Sequence, residues 1–405
     1  MNTETGAQQG INKRERLVAV SLVIFCLCFQ SIGTSGVSLF LPLIQKDFGA
    51  SFTQGGALAA ALLLTYAIMQ VPAGYLADRF GRKKVFVVGM LGTTILMLAF
   101  GMVTDYWQAM SNQAVSGLFR ALLFAPGMAL LASWFSPQRR ATAMALYQVG
   151  MFLGQVIFNL IGPLLAAGSG WRFPFIVFSI VGIVASCAYL WLGKEPPATA
   201  TQMLKVSEIF HLLRYRVMWF CNVIQYVRLA VFQGITFWLP TLLMNDKGLS
   251  LQLTGFIVAL RFFLIGPTNI LGSYISDRLK NHTLIIAISL VMLVITTALM
   301  AEVDNMAVLI AVIVVNSLFV QLYFGPLFAI PVKALGAHLT ATTTGIGNLF
   351  ANLGAFTFAY LLGALKDTTG SFAIGFYALA GACVISLLFT ILLSRIDRKA
   401  ASAAG

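Results

Sequence analysis

The chain is short of charge. Asp, Glu, Lys and Arg make up 10% of its 405 residues, against 59% hydrophobic residues. Soluble domains carry roughly 25% charged residues, so a water-solvated globule is excluded. Histidine is scarce, with His211, His282 and His338 alone. The five cysteines (Cys26, Cys28, Cys187, Cys221 and Cys383) fall in apolar runs and show neither paired bridges nor a metal-ligand spacing. A phosphate-cradling Gly loop is missing too, which removes most enzyme chemistries and leaves no cofactor to expect. Negative charge is absent where it would matter most: all thirteen acidic residues lie in loops or at the ends of apolar runs.

Long apolar runs, in contrast, are plentiful. Twelve are placed near 17–43, 53–76, 85–103, 107–134, 142–167, 172–193, 217–243, 252–275, 283–301, 306–332, 340–365 and 372–394. A bilayer core of about 30 Å needs about 20 such residues per helix, and in lipid a helix is the only open-chain solution. The expected fold is an all-α membrane protein of twelve transmembrane helices in two six-helix bundles. Putting both termini in the cytoplasm places most of the 26 Lys and Arg inside, including Arg79, Arg82, Lys83, Lys84, Arg139, Arg140, Arg278 and Arg398, and leaves Lys46, Arg172, Lys247 and Lys366 outside. The net charge of +13 then reads as a topology signal, with no nucleic-acid partner. Residues 1–16 are polar and run into a full-length helix without a cleavage site, so the first helix is expected to be retained.

The longest polar break, 194–216, separates an N-terminal bundle (1–193) from a C-terminal one (217–405) as a cytosolic linker. The two bundles match each other. FLPLIQKDFG from Phe40 parallels WLPTLLMNDKG from Trp238; Asp78 and Arg79 match Asp277 and Arg278; Leu118, Phe119, Phe124 and Pro126 recur as Leu318, Phe319, Phe324 and Pro326; Leu153 and Gly154 recur as Leu353 and Gly354. The offset stays between 198 and 200 throughout, the sign of a duplicated transporter whose substrate sits between the repeats near the midplane.

GYLADRFGRKK at 74–84, with a weaker copy SYISDRLK at 273–280, resembles the signature loop of the major facilitator superfamily. WFSPQRRATA at 134–143 and GWRFPF at 170–175 resemble its organic-anion branches, the anion:cation symporters. The resemblance implies that Asp78, Arg79, Gly81 and Arg82, echoed by Asp277 and Arg278, form a gate that latches the halves in the outward-open state. The sequence departs from the family at Gln113, where an Arg is usual, and in a degraded antiporter motif in which Gly162 and Pro163 survive but Phe158, Ala166 and Ala167 replace glycines.

Three arginines, Arg120, Arg228 and Arg261, fall at the midpoints of their spans. Each costs about 2.5–3.5 kcal/mol at the bilayer centre on insertion scales, so such residues normally face a wet cavity. With no acidic residue inside the membrane, a bound anion is the natural counter-charge, since guanidinium forks match carboxylate oxygens. Snorkelling or carbonyl capping is the competing structural explanation. Polar side chains cluster on the spans that line such a cavity: Gln113, Ser116 and Arg120 share one stripe, and Gln148, Gln155 and Asn159 another. The candidate substrate contacts are Arg120, Arg228, Arg261, Gln30, Tyr66, Gln155, Tyr226, Gln321 and Asn348.

The expected activity is alternating-access transport of a small carboxylate or dicarboxylate across the inner membrane. A proton, a cation or a counter-anion would be coupled to it, and membrane lipids would be the other partners. One chain holds a complete pathway, so a monomer is expected to function. The alternatives are efflux of a larger amphipathic drug or siderophore, or a sensor on the carrier fold; the latter would need an output domain for which the linker and tail leave no room.

Overall fold

The computed structural model describes residues 13–135, 140–193, 212, 214–335 and 340–403. Every regular element among them is a helix. The first half runs α1 (Lys13–Phe48), α2 (Phe52–Phe80), α3 (Arg82–Phe100), α4 (Tyr106–Ser133), α5 (Arg140–Ala166) and α6 (Arg172–Leu192). The second half runs α7 (Arg216–Thr241, continued by a π-turn Leu242–Asp246), α8 (Leu251–Leu279), α9 (His282–Glu302), α10 (Met306–Val320), α11 (Phe324–Leu335), α12 (Thr340–Thr369) and α13 (Ala373–Ala403). Twelve helical stretches are long and apolar enough to cross a membrane, with α10 and α11 forming one of them. The protein is a multi-pass integral membrane protein. The expected linker at 194–216 lies outside the described residues up to 211 and at 213.

The tenth span differs from its expected form. Instead of one helix over 306–332, it breaks at Gln321–Tyr323. Pro326 explains the place: it has no N–H to give the carbonyl of Leu322, and its ring crowds that carbonyl.

Polar caps fix the ends of the spans. Ser51 and Gln54 form a reciprocal capping box at the start of α2, and the Asp105 carboxylate accepts from the Trp107 and Gln108 amides at the start of α4. Alternating spans place residues 44–56, 159–172, 241–255 and 359–372 together at one end of the bundle, the far end. The signature loop and its copy lie at the other. The far end carries three ion pairs: Arg172–Asp47 at 2.7 Å, Lys247–Asp304 at 2.8 Å and Lys366–Asp246 at 2.8 Å. The Lys247 ammonium holds the exposed Asp304 carboxyl below its usual range.

The duplication is visible in the main chain. Gly154 packs α5 directly on the Cys28 backbone of α1, and Gly354 packs α12 on the Tyr226 backbone of α7. These are repeat-equivalent crossings. The halves themselves meet along α1–α7, α2–α12 and α5–α8. Gly56 of α2 abuts the Ala359 carbonyl of α12, and Gly255 of α8 abuts the Asn159 carbonyl of α5, again at equivalent positions. At the crossing of α1 and α7 the Ser38 hydroxyl sits between the Thr236 and Phe237 carbonyls, 2.9 and 2.8 Å away. Ser38 and Thr236 are themselves repeat mates, so the pseudo-twofold axis passes there.

Candidate substrate site

Arg228 is buried in α7, one turn beyond Gln225. Its Nε donates to Gln225 Oε1 at 2.8 Å and its Nη1 to Gln321 Oε1 at 3.4 Å. The guanidinium carbon lies 4.8 Å from the centroid of the Phe324 ring, the first residue of α11. Arg228 is thus held across the break in the tenth span, with Gln321 on one side and Phe324 on the other. Both amides are neutral, and Nη2 is left over for a further acceptor.

Arg261 in α8 is 1% exposed and donates Nη1 to Asn316 Oδ1 at 3.1 Å. Asn316 is fixed in turn by its Nδ2, which donates to Thr296 Oγ1 at 3.1 Å. Arg261 Nε and Nη2 find no acceptor. Among the described residues no carboxylate reaches Arg228 or Arg261, so neither charge is neutralised by an acid.

Arg120 in α4 lies against Gly33 of α1, whose missing side chain makes the room, and beside Tyr66 of α2. With Gln113, Ser116, Asn112 and Thr93 it lines a cavity of about 10 Å³, enough for one water. The stripe Gln113–Ser116–Arg120 inferred from helical spacing therefore shares one surface. Nearby, Tyr147 of α5 donates its hydroxyl to Gln30 Oε1 at 3.1 Å.

Nine expected contact residues therefore divide into groups. Arg120, Tyr66 and Gln30 gather in the first half; Arg228 and Gln321 join in the second; Arg261 sits separately on Asn316. Tyr226, Gln155 and Asn348 are half-buried, and what they show is main-chain packing. The Gln155 and Asn348 carbonyls accept from Asn159 and Asn352 at 2.7 and 2.8 Å, and the Tyr226 backbone seats Gly354. Sequence reasoning counted Gln225 among the polar residues of the cavity but not among the contacts, and missed Phe324 and Tyr147 as partners of these groups. The i−3 spacing from Gln225 to Arg228 was a usable signal; the other two arise from tertiary contact.

The residues expected to form the gate lie on the signature loop and its copy. Asp78, Arg79, Asp277 and Arg278 are exposed, and Arg82 is half-buried. Arg79 donates to the Tyr75 hydroxyl at 3.2 Å. Gly81 joins α2 to α3 at φ 95°, a backbone conformation that calls for glycine. Neither Asp78 nor Asp277 makes an ion pair among the described residues. The far end, in contrast, is shut. Besides its two glycine crossings, Asp367 at the end of α12 accepts from the Phe52 and Thr53 amides of α2 at 3.0 and 2.6 Å, and from the Thr53 hydroxyl at 2.5 Å.

Two six-helix repeats closed at one end, with buried cationic side chains near mid-membrane, define a membrane carrier. The Major Facilitator Superfamily pattern matches residues 23–359, and the chain belongs to that family. It is a transporter and not an enzyme. It is 20% identical to the D-galactonate transporter of Escherichia coli O6:H1, over 95% of this chain and 97% of that protein. It is 25% identical to the probable galactarate/D-glucarate transporter GudP of Bacillus subtilis, over 86% of this chain and 85% of that protein. The fold matches a bacterial homologue of the human lysosomal transporter Spinster, in an inward-facing and occupied conformation, with a TM-score of 0.83 at 16% identity, covering 95% of this chain and 98% of that one.

Proposed function

We propose that the protein carries a small organic anion, a sugar acid or similar carboxylate, across the bacterial inner membrane by alternating access, with both termini cytoplasmic. The observation that carries this is Arg228: a buried guanidinium whose hydrogen-bond acceptors are both neutral amides, with one edge unused. A charge so placed costs several kcal/mol unless it is paired, and a bound carboxylate supplies the pair. The two relatives are named as transporters of sugar acids, which supports the same class.

Arg228 and Gln321 form the first contact with the carboxylate in this reading. Arg120, Gln30 and Tyr66 face it from the other half, Arg261 adds positive potential, and Gln155, Tyr226 and Asn348 line the path. Asp78, Arg79, Gly81 and Arg82, with Asp277 and Arg278, latch the signature end when the far end opens. Their exposure here, together with the closed far end, fits a state open to the cytoplasm. Coupling is to a proton, a cation or a counter-anion. Larger amphipathic substrates find no support in the relatives.

The test is Arg228→Gln in reconstituted vesicles, assayed by exchange of D-galactonate and D-glucarate. Transport is expected to fall about 100-fold, the worth of a charge-assisted pair near 3 kcal/mol. Unchanged transport of both acids would remove Arg228 from the site and the anion reading with it.

A further inference from the structure

The arginine clamp depends on a break in a helix, and the break depends on a neighbour. Pro326 weakens the tenth span at Leu322, but a proline alone does not sever it: its repeat mate Pro126 sits inside α4, which runs unbroken from Tyr106 to Ser133. The two sites differ in what presses on them. In the second half Gly272 of α8 lies directly on the Leu322 carbonyl, and a Cβ there would run into that oxygen. The next residue, Ser273, packs against Gly325 on the other side of the break. In the first half the position equivalent to Gly272 is Ala73, buried in the same small apolar cluster as Leu122, the equivalent of Leu322. Ala73 carries a methyl group where Gly272 carries none.

We infer that Gly272 is a positioning residue for the anion site: by letting α8 close onto the Leu322 carbonyl it keeps the tenth span broken, and so sets Gln321 and Phe324 on either side of Arg228. Gln321 is the cap residue of α10, where its side chain leaves the helix surface and reaches α7. Continuing α10 through this point would rotate Gln321 onto the helix and carry Phe324 with it. Gly272 touches no substrate in this scheme. Its effect passes through the main chain of 321–324 to the orientation of one guanidinium. The inference rests on the carboxylate reading of Arg228 given above.

The test is a double-mutant cycle of Gly272→Ala with Arg228→Gln, read as the dissociation constant of D-glucarate from thermal-shift titration of the purified, full-length protein. Gly272→Ala is expected to weaken binding about tenfold, and to have no further effect in the Arg228→Gln background, because its effect runs through that side chain. Gln321→Leu removes the acceptor without touching the helix crossing and is expected to weaken binding to a similar degree; it also answers the question if Gly272→Ala fails to fold. Ala73→Gly in the other half is expected to bind as the parent does. Additive losses from Gly272→Ala and Arg228→Gln would overturn the inference, as would parent-like binding by both Gly272→Ala and Gln321→Leu while Arg228→Gln binds poorly. Parent-like binding by Arg228→Gln would instead defeat the carboxylate reading itself.

Discussion

Superposed through their repeat, the two halves of this carrier agree in main chain and disagree in chemistry. Gly154 on Cys28 matches Gly354 on Tyr226, and Gly56 on Ala359 matches Gly255 on Asn159. Yet the second half has Arg228 where the first has Gln30, Arg261 where it has Leu62, Gly272 where it has Ala73 and Asp367 where it has Ala167. Close helix crossings admit only glycine, so the scaffold holds these positions fixed in both copies. Side chains away from these crossings are free of that demand, and there the second half has two of the three buried guanidiniums, the broken span and the far-end carboxylate. The carrier is a symmetric frame unevenly loaded, more heavily on its second half.

The largest expected effect tests the frame. Gly154→Ala and Gly354→Ala each push a methyl into a carbonyl of the facing helix, and each should lower unfolding stability by about 3 kcal/mol. Thermal unfolding in detergent should show comparable losses; a large loss in one and none in the other would break the equivalence of the two crossings. Next comes the loading at the far end. Asp367 binds two amides and a hydroxyl of α2, whereas in the equivalent α5–α8 seam Ala167 holds the position of Asp367, and Leu251 and Gln252 those of Phe52 and Thr53. Asp367→Asn should favour opening of the α2–α12 seam by about 1.5–3 kcal/mol, seen as a longer distance between spin labels at positions 50 and 368. Ala167→Asp should tighten the other seam, and no shift in either variant would show that the seams do not differ in strength. The smallest effect concerns Arg261. Arg261→Leu makes the second half copy Leu62 and removes two buried donors that lack acceptors, so the unliganded protein should gain about 1 kcal/mol. Its stabilisation by D-glucarate should shrink, and a loss of unliganded stability would mean that Arg261 is structural cement.

Much of this was legible in the sequence for simple reasons. Twelve apolar runs leave no alternative to twelve helices, and an offset near 200 residues survives because Gly154 and Gly354, or Asp78 and Asp277, are tied to the frame. The three mid-span arginines stood out because nothing acidic accompanied them. What stayed hidden was three-dimensional. Gln321 was named among the contacts but its pairing with Arg228 was not, since the two meet at a break in the tenth span that helical spacing does not show. Asp367 looked like an ordinary helix-end carboxylate until its partners were found 314 and 315 residues earlier in the chain. The separation of Arg261 from Arg228 depends on which face of α10 each reaches, which helical spacing within α7 or α8 does not specify.

The crossing at Ser38 carries a history. In a dimer of two identical half-size chains, whatever lies on the twofold axis meets its own copy, and both copies must do the same thing. Here the two hydroxyls on the axis have parted company: Ser38 reaches across to α7, while Thr236 turns back and donates to the Phe232 carbonyl of its own helix at 2.5 Å. Such a division is open only to a fused chain, in which the two copies of a gene product can mutate separately. The point about which the halves would rock least is also where their independence is written most plainly.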